Sequence, residues 1–225
     1  MPKLPRIADV HWPHLLLLAA LPAWWWVAQA MALTPTVTLF AWLAASVGLL
    51  AIAERRQPHR QDWHPTAPQL RRDGAVWTLN VLADAGATAL LTAIAVFFFP
   101  GRSDWPLALQ VLAGVAIAEA GSYWIHRLSH RDGWLWRVHL LHHRPDRLNV
   151  ANALTAHPLN AVYDKLARVL PLIVLGFDEQ AMVAIALFGL MQSLVVHANV
   201  SGSIGLLDFV IGSARLHRLH HSTRE

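Results

Sequence analysis

Histidine is the residue type in this chain that could carry out chemistry, and it is concentrated in the second half. Ten of the 14 histidines follow residue 125, namely His126, His130, His139, His142, His143, His157, His197, His217, His220 and His221. The first two are spaced i, i+4, and two triplets are spaced i, i+3, i+4, so each set would share one face of a helix. Imidazole is a ligand of zinc, copper, iron and nickel, and one ion rarely takes more than about six ligands. Eight to ten converging imidazoles therefore predict a site for two metal ions.

The remaining histidines have simpler interpretations. A solitary histidine is usually a surface residue or a hydrogen-bonded core residue, which is how we interpret His11, His14, His59 and His64. The sequence contains no HExxH motif, so the glutamate base of the common zinc proteases is missing. Hydrolytic zinc chemistry thus lacks an evident general base, whereas iron chemistry with O2 requires open coordination positions and a source of electrons instead.

Long apolar segments must position these histidines. The chain is 55% hydrophobic and only 14% charged, with a mean hydropathy of +0.37, whereas a soluble domain carries about 25% charged residues. Four apolar runs are long enough to be membrane spans, and a fifth is broken near "GFDEQ" and fits a helical hairpin; they cover residues 15–33, 37–53, 76–99, 107–125 and 169–196. The predicted fold class is all-α, a polytopic helical membrane protein of about four spans plus a hairpin, with a histidine-rich helical cap.

Arginine-rich segments indicate the sidedness of these spans. Residues 54–73 and 127–168 both carry several arginines, which places them on the cytoplasmic side under the positive-inside rule. The histidine cap is then expected at the cytoplasmic surface, and the net charge of +4 reflects topology rather than nucleic-acid binding. Residues 1–225 are predicted to form one membrane domain, with 1–73 as a span hairpin and loop and 74–225 as the histidine-bearing region.

The first apolar run has two interpretations. Basic residues precede it and Ala28 to Ala30 resemble a signal-peptidase site, so residues 15–33 could be a cleaved signal peptide. The bulky Trp24, Trp25 and Trp26 favour a retained span instead. There is no cysteine in the chain, which excludes disulfides and thiolate metal sites.

Several segments of the chain resemble the fatty acid hydroxylase / sterol desaturase superfamily. They are "YWIHRLSH" (123–130), "LWRVHLLHH" (135–143), "NALTAHPLN" (152–160), "HAN" (197–199) and "RLHRLHH" (215–221). The resemblance covers about residues 70 to 225. It implies a non-haem di-iron membrane oxygenase whose ligands are His126, His130, His139, His142, His143, His217, His220 and His221, with His157 and His197 where the family places further histidines. Two features depart from the family pattern. Arg144 follows the histidine motif 139–143 in place of serine, and the chain ends at Glu225, soon after the histidine motif 217–221.

The resemblance also implies cofactors and partners. Two iron ions would use O2 as co-substrate to hydroxylate or desaturate a lipid, and zinc could substitute for iron in a purified sample. No haem or flavin motif is present, so a separate electron-donor protein is expected. Glu119, Asn152 and Asn199 are expected to orient ligand imidazoles from the outer shell.

One alternative function remains open on the sequence. The chain could be a metal-binding membrane protein, either a transporter or an inactive scaffold, that keeps the histidines without oxygenase turnover. A transporter would place its ligands midway inside the spans, whereas these histidines cluster at the predicted span ends and beyond them.

Overall fold

The computed structural model describes residues 11–222, and its regular structure is α-helical. The α-helices are Trp12–Ala30 (α1), Pro35–Arg56 (α2), Ala67–Phe98 (α3), Leu107–Ser129 (α4), Trp134–His143 (α5), Pro158–Val174 (α6), Glu179–His197 (α7), Asp208–Ile211 (α8) and Ala214–His220 (α9). Within residues 11–222 there is no β-strand, and Pro58 and Val200 form an isolated antiparallel bridge. The predicted all-α fold class is confirmed.

In the described part of the chain, four helices are long and apolar enough to cross a membrane: α2, α3, α4 and α7. The predicted break near "GFDEQ" is present, since α6 ends at Val174 and α7 begins at Glu179. Two details differ from the expectation. The first apolar run is helical, as α1, but is not among these four helices, whereas α7, expected to be half of a hairpin, is long enough to span by itself.

The third span is also longer than predicted. Its helix begins at Ala67, nine residues before the predicted start at residue 76, and continues for 32 residues. The side chain of Gln69 accepts the backbone N–H of Thr66 at 2.8 Å, which satisfies a donor just before the first turn. Hydropathy locates the apolar part of such a helix and misses its polar first turns.

Helix starts in this chain combine a capping side chain with a proline in the first turn. The hydroxyl of Thr34 accepts the N–H of Val37 ahead of α2, which begins at Pro35. In the same way His157 precedes Pro158 at the start of α6. Proline suits this position because its missing N–H would have no partner inside the helix.

The described chain divides into two compact units. The first unit comprises residues 11–71, 145–154 and 190–222, and the second comprises residues 72–144 and 155–189. Each unit carries part of the histidine set, so the folding of each unit determines where its imidazoles lie.

The second unit is built on close packing between α4 and α6. Ala118, Leu172, Ala181 and Ile185 form its buried apolar core. Gly121 permits the approach, because a Cβ at this position would collide with the backbone carbonyl of Ala167. The helices are therefore in backbone contact, which fixes the axial position of α4 and of the histidines at its end.

A half-buried arginine joins the same two helices. Arg168 of α6 donates to Glu119 at 2.6 Å, to Asp164 at 2.9 Å and to the hydroxyl of Ser122 at 2.7 Å. Because the guanidinium is hydrogen-bonded to two carboxylates, its burial is compensated. This network and the small residues around it hold α4 and α6 in one register.

In the first unit, the end of α2 is fastened to two loops. The Oε1 atom of Glu54 accepts the backbone N–H of Val150 at 2.7 Å and that of Asn199 at 2.8 Å. The side-chain amide of Asn199 binds the backbone N–H and carbonyl of Arg60 at 3.0 Å and 2.9 Å. These bonds fix the loop that directly follows His197 at the end of α7.

Candidate metal centre

The second unit brings four histidines together where α4 meets α5. His126 and His130 lie at the end of α4, and Gly133, with φ of +134°, allows the turn into α5. Helix α5 then carries His139 and His143 on one face. Each of the four offers a ring nitrogen, and these nitrogens all lie within 4.8 Å of one another. We call His126, His130, His139 and His143 the α4–α5 cluster.

The spacing inside the α4–α5 cluster matches adjacent ligands of a metal ion. The Nε2 atoms of His139 and His143 are 3.1 Å apart. At a metal–imidazole distance of about 2.1 Å, two ligands at right angles lie about 3.0 Å apart and two tetrahedral ligands about 3.4 Å apart. The residues present thus fit a metal ion.

Hydrogen bonds from neighbouring residues orient the imidazoles of α5. His139 Nδ1 donates to Asn160 Oδ1 at 2.7 Å, which leaves Nε2 as the unprotonated nitrogen. Tyr163 donates its hydroxyl proton to the same Asn160 oxygen at 2.8 Å, and Ser129 contacts the Tyr163 hydroxyl at 3.0 Å. The Nδ1 atom of His142 is 3.2 Å from the carbonyl of Thr155. Partners of this kind on ligating histidines fix both the tautomer and the ring orientation.

Burial keeps imidazoles of this cluster in the form that binds metal. Burial lowers the pKa of His139, against which the Asn160 hydrogen bond acts in the opposite direction. Burial also lowers the pKa of His130. Both rings are consequently neutral at physiological pH, with a lone pair available to a cation.

The first unit holds a second group of three histidines, which we call the α7–α9 cluster. It consists of His197, His217 and His221, whose ring nitrogens also lie within 4.8 Å of one another. The Nε2 atom of His217 is 3.0 Å from that of His197 and 3.0 Å from that of His221. His197 Nδ1 donates to the carbonyl of Ser193 at 2.7 Å, one turn earlier in α7. The arrangement repeats that of the α4–α5 cluster, with closely spaced Nε2 atoms and an Nδ1 held by an oxygen.

Short helix α9 is positioned by contacts at both ends. Its N-cap is Ser213, and Arg218 donates to the carbonyls of Ala198 and Val200 at 3.2 Å and 3.1 Å. The amide of Gln192 donates to the carbonyls of Ile211 and Gly212 in the preceding turn. Because α9 is too short to be stable alone, these bonds determine where its histidines lie.

The two remaining motif histidines lie beside the clusters. The His142 ring is 5.3 Å from that of His139 and 5.5 Å from that of His143 between centroids. The His220 ring is 5.6 Å from that of His217 and 5.7 Å from that of His221. All eight motif histidines, and His197, are therefore close to other imidazoles of their own unit.

His157 is placed differently from the other predicted ligands. It is the N-cap of α6, and its Nδ1 accepts the backbone N–H of Leu159 at 3.2 Å. Among the residues that the structure describes, it is not part of either histidine group. A histidine followed by proline is suited to capping a helix, and this explains its position without a metal.

The three residues expected to orient ligand imidazoles have hydrogen-bond or ion-pair partners other than histidine. Glu119 forms an ion pair with Arg168, Asn152 caps the turn at Val150–Asn152 together with Asn149, and Asn199 binds the backbone of Arg60. Charge attraction and backbone capping engage these polar groups, and an outer-shell role for the three residues stays a prediction. The residue that does hold an imidazole is Asn160, which sequence reasoning missed although it closes the quoted segment "NALTAHPLN".

Comparison with known proteins agrees with this geometry. The family model "Fatty acid hydroxylase" matches residues 111–225. The chain is 33% identical over 190 residues to an ornithine lipid hydroxylase of Rhizobium tropici, covering 79% of this chain and 57% of that protein. It is 28% identical over 131 residues to the human alkylglycerol monooxygenase, covering 56% of this chain and 27% of that protein, and 27% identical over 127 residues to the Danio rerio protein of the same name, covering 54% and 26%.

The chain spans just over half the length of the Rhizobium protein and about a quarter of each alkylglycerol monooxygenase. No solved structure matches it. The family match covers α5, α6, α7 and α9 and most of α4, and so includes every histidine of the two clusters. On the strength of that match, the chain belongs to the fatty acid hydroxylase family.

Proposed function

We propose that the protein is a membrane-bound oxygenase that hydroxylates a C–H bond of a lipid with O2, and that each histidine cluster holds one iron ion. The observation that carries the proposal is the pair of all-histidine clusters with Nε2 atoms 3.0 or 3.1 Å apart. The similar proteins are named a lipid hydroxylase and an alkylglycerol monooxygenase, which supports a lipid substrate and favours hydroxylation over desaturation.

The proposed ligands are the histidines of the α4–α5 cluster and of the α7–α9 cluster. His142 and His220, which lie beside these clusters, are proposed as further ligands. Imidazole ligands suit iron as well as zinc. When bound, iron supplies the activation of O2, which side chains alone do not provide. Zinc in a purified sample would be a substitute at the same nitrogens.

The protein's own residues hold and shield this centre. Asn160 and the Ser193 carbonyl each accept an Nδ1 proton, which keeps the opposite nitrogen of His139 and His197 unprotonated. His139 and His197 are 2% and 4% exposed, so water has little access to these two rings. The apolar outer faces of the spanning helices, including Leu109 and Leu112 of α4, would let a lipid approach sideways from the bilayer.

Two further elements of the proposal concern electrons and sidedness. No haem or flavin motif is present in the sequence, so we propose a separate electron-donor protein. The arginines that follow α4 support a cytoplasmic position for the histidines under the positive-inside rule. A donor on the cytoplasmic side could then reach them.

A metal transporter is the less favoured alternative. Transport sites lie near the middle of the bilayer, on or between spans. Here α5 and α9 carry five of the eight motif histidines, and His221 directly follows α9. Both are short helices that are not among the four candidate spans. Placement beyond the span ends favours a reaction at the membrane surface over passage through it.

Lipid profiling tests the proposal. Cells expressing the full chain under isotopically labelled O2 should accumulate a hydroxylated lipid that contains one labelled oxygen atom. The variant His143→Ala should abolish this product, whereas His64→Ala, which alters a histidine outside both clusters, should retain it. An inactive scaffold would bind metal and give no labelled lipid. A labelled lipid that is as abundant in cells with His143→Ala as in cells with wild type would contradict the assigned site.

A further inference from the structure

The outward face of α4 near its histidine end carries an aromatic and basic group. Tyr123 and Trp124 are 54% and 59% exposed, and Arg127 follows them by one turn. All three lie in the last two turns of α4, one of the four helices able to span a membrane. Tyrosine and tryptophan are enriched at this level, where a span meets the lipid headgroups.

Arg127 is held in place by these two aromatic residues. Its Nη1 donates to the Tyr123 hydroxyl at 2.8 Å, and its guanidinium carbon lies 5.8 Å from the centroid of the Trp124 ring. Both contacts are made within one helix, so they orient the guanidinium without neutralising its charge. An arginine held like this loses little further freedom when it binds an anion.

The charge of Arg127 is uncompensated within the described structure. Among residues 11–222, no carboxylate lies within ion-pair distance of Arg127, nor of Arg131 one turn further on. Two other arginines of the second unit are paired with acids: Arg102 with Asp178 at 2.7 Å, and Arg168 with both Glu119 and Asp164. What distinguishes Arg127 is its position in the last turn of a candidate span, beside two exposed aromatic side chains.

We propose that Tyr123, Trp124 and Arg127 form a binding site for the headgroup of an anionic phospholipid. The guanidinium would bind the headgroup phosphate, for which its planar set of donors is suited. The Trp124 ring would lie against the glycerol and the upper part of the acyl chains, where indole is favoured. An acidic soluble protein would complement the charge equally well, but it would leave the exposed tyrosine and tryptophan without an apolar environment.

Lipid binding at this position would not require oxygenase activity. A lipid bound here would hold the final turn of α4 at the interface, and with it the level of His126. Attraction to anionic lipid is worth about 1 kcal/mol per basic residue, which is about fivefold in affinity. That factor sets the size of the expected effect.

The test is a lipid titration of the purified full chain in detergent, followed by native mass spectrometry. Phosphatidylglycerol and phosphatidylcholine with the same acyl chains are compared. Wild type should bind phosphatidylglycerol more tightly, and Arg127→Gln should weaken that binding about fivefold. The loss for phosphatidylcholine should be smaller, because its choline cation offsets the charge of its phosphate. Tyr123→Phe should give a smaller loss in the same direction, because the guanidinium is less well oriented.

The matched control is Arg102→Gln, which removes an exposed arginine that is already paired with Asp178. It should leave the preference for phosphatidylglycerol intact. The proposal is overturned if Arg127→Gln binds phosphatidylglycerol like wild type, or if Arg102→Gln weakens it equally. Displacement of the lipid by millimolar inorganic phosphate would also overturn it, since the site would then be one for a free ion. Circular dichroism of each variant verifies that the helices are intact.

Discussion

Replacing Asn160 by leucine should weaken one metal site and leave the other unchanged. The substitution keeps the size of the side chain and removes the oxygen that accepts the His139 Nδ1 proton at 2.7 Å. His139 is only 2% exposed, so water cannot easily replace that oxygen. The ring can then adopt the tautomer with the proton on Nε2, which competes directly with metal binding.

The size of this effect follows from the lost hydrogen bond. Outer-shell partners of ligating histidines are typically worth about 10- to 100-fold in metal affinity. A buried donor left without an acceptor costs about 1–3 kcal/mol, which corresponds to the same range. Because the bond is short and the ring is buried, we expect a loss near the upper end, about 100-fold.

The assay is anaerobic titration of the metal-free protein with Fe²⁺ against a competing chelator. Wild type should show two binding events, and Asn160→Leu should weaken the one that belongs to the α4–α5 cluster. Tyr163→Phe is the control, since it removes a second donor to the Asn160 oxygen but leaves that oxygen in place. It should change affinity by less than tenfold. Equal weakening of both sites, or no change in either, would refute the role assigned to Asn160.

Three further predictions concern stability. Gly121→Ala should lower the free energy of unfolding by about 1–3 kcal/mol, because its Cβ would meet the carbonyl of Ala167. Gly86→Ala, which has open space around it, should not lower it, and equal thermal midpoints of the two variants would contradict this prediction. Arg168→Met should cost about 1–3 kcal/mol, since two half-buried carboxylates lose their counter-charge. An unchanged thermal midpoint would show that the network contributes little. Burial, aided by the charge on a neighbouring histidine, lowers the pKa of His11 from 6.5 to about 4. Between pH 4 and 6.5 the unfolded chain therefore binds more protons than the folded one, and up to about 3 kcal/mol of stability is lost as the pH falls from 6.5 to 4. The free energies of unfolding of wild type and His11→Gln, measured with a chemical denaturant, should diverge across this range. Parallel profiles would argue against the lowered pKa of His11.

Periodicity was sufficient to predict which histidines share a helix face. His126 and His130 at the end of α4, and His139 and His143 on α5, converge as their spacing indicates. The helical period is a local property, so it can be read from the sequence alone. The break between α6 and α7 could also be predicted from a local feature, since "GFDEQ" interrupts an apolar run.

Outer-shell partners could not be predicted because they depend on tertiary packing. Glu119 lies on the same helix face as His126, yet its carboxylate pairs with Arg168, which is 49 residues later in the chain. A charged partner binds a carboxylate more strongly than a neutral imidazole does. Asn160 reaches His139 only because α5 and α6 pack together, and the Ser193 oxygen that holds His197 belongs to the backbone and has no residue-type signal.

The most direct test of the account is the iron content of the purified full chain and of variants that disrupt each cluster separately. We expect two iron ions per wild-type chain. Removing His139 and His143 together should leave one, and removing His217 and His221 together should also leave one. Iron below one ion per wild-type chain after anaerobic reconstitution, or a content that neither double variant lowers, would contradict the claim that two histidine clusters each hold iron.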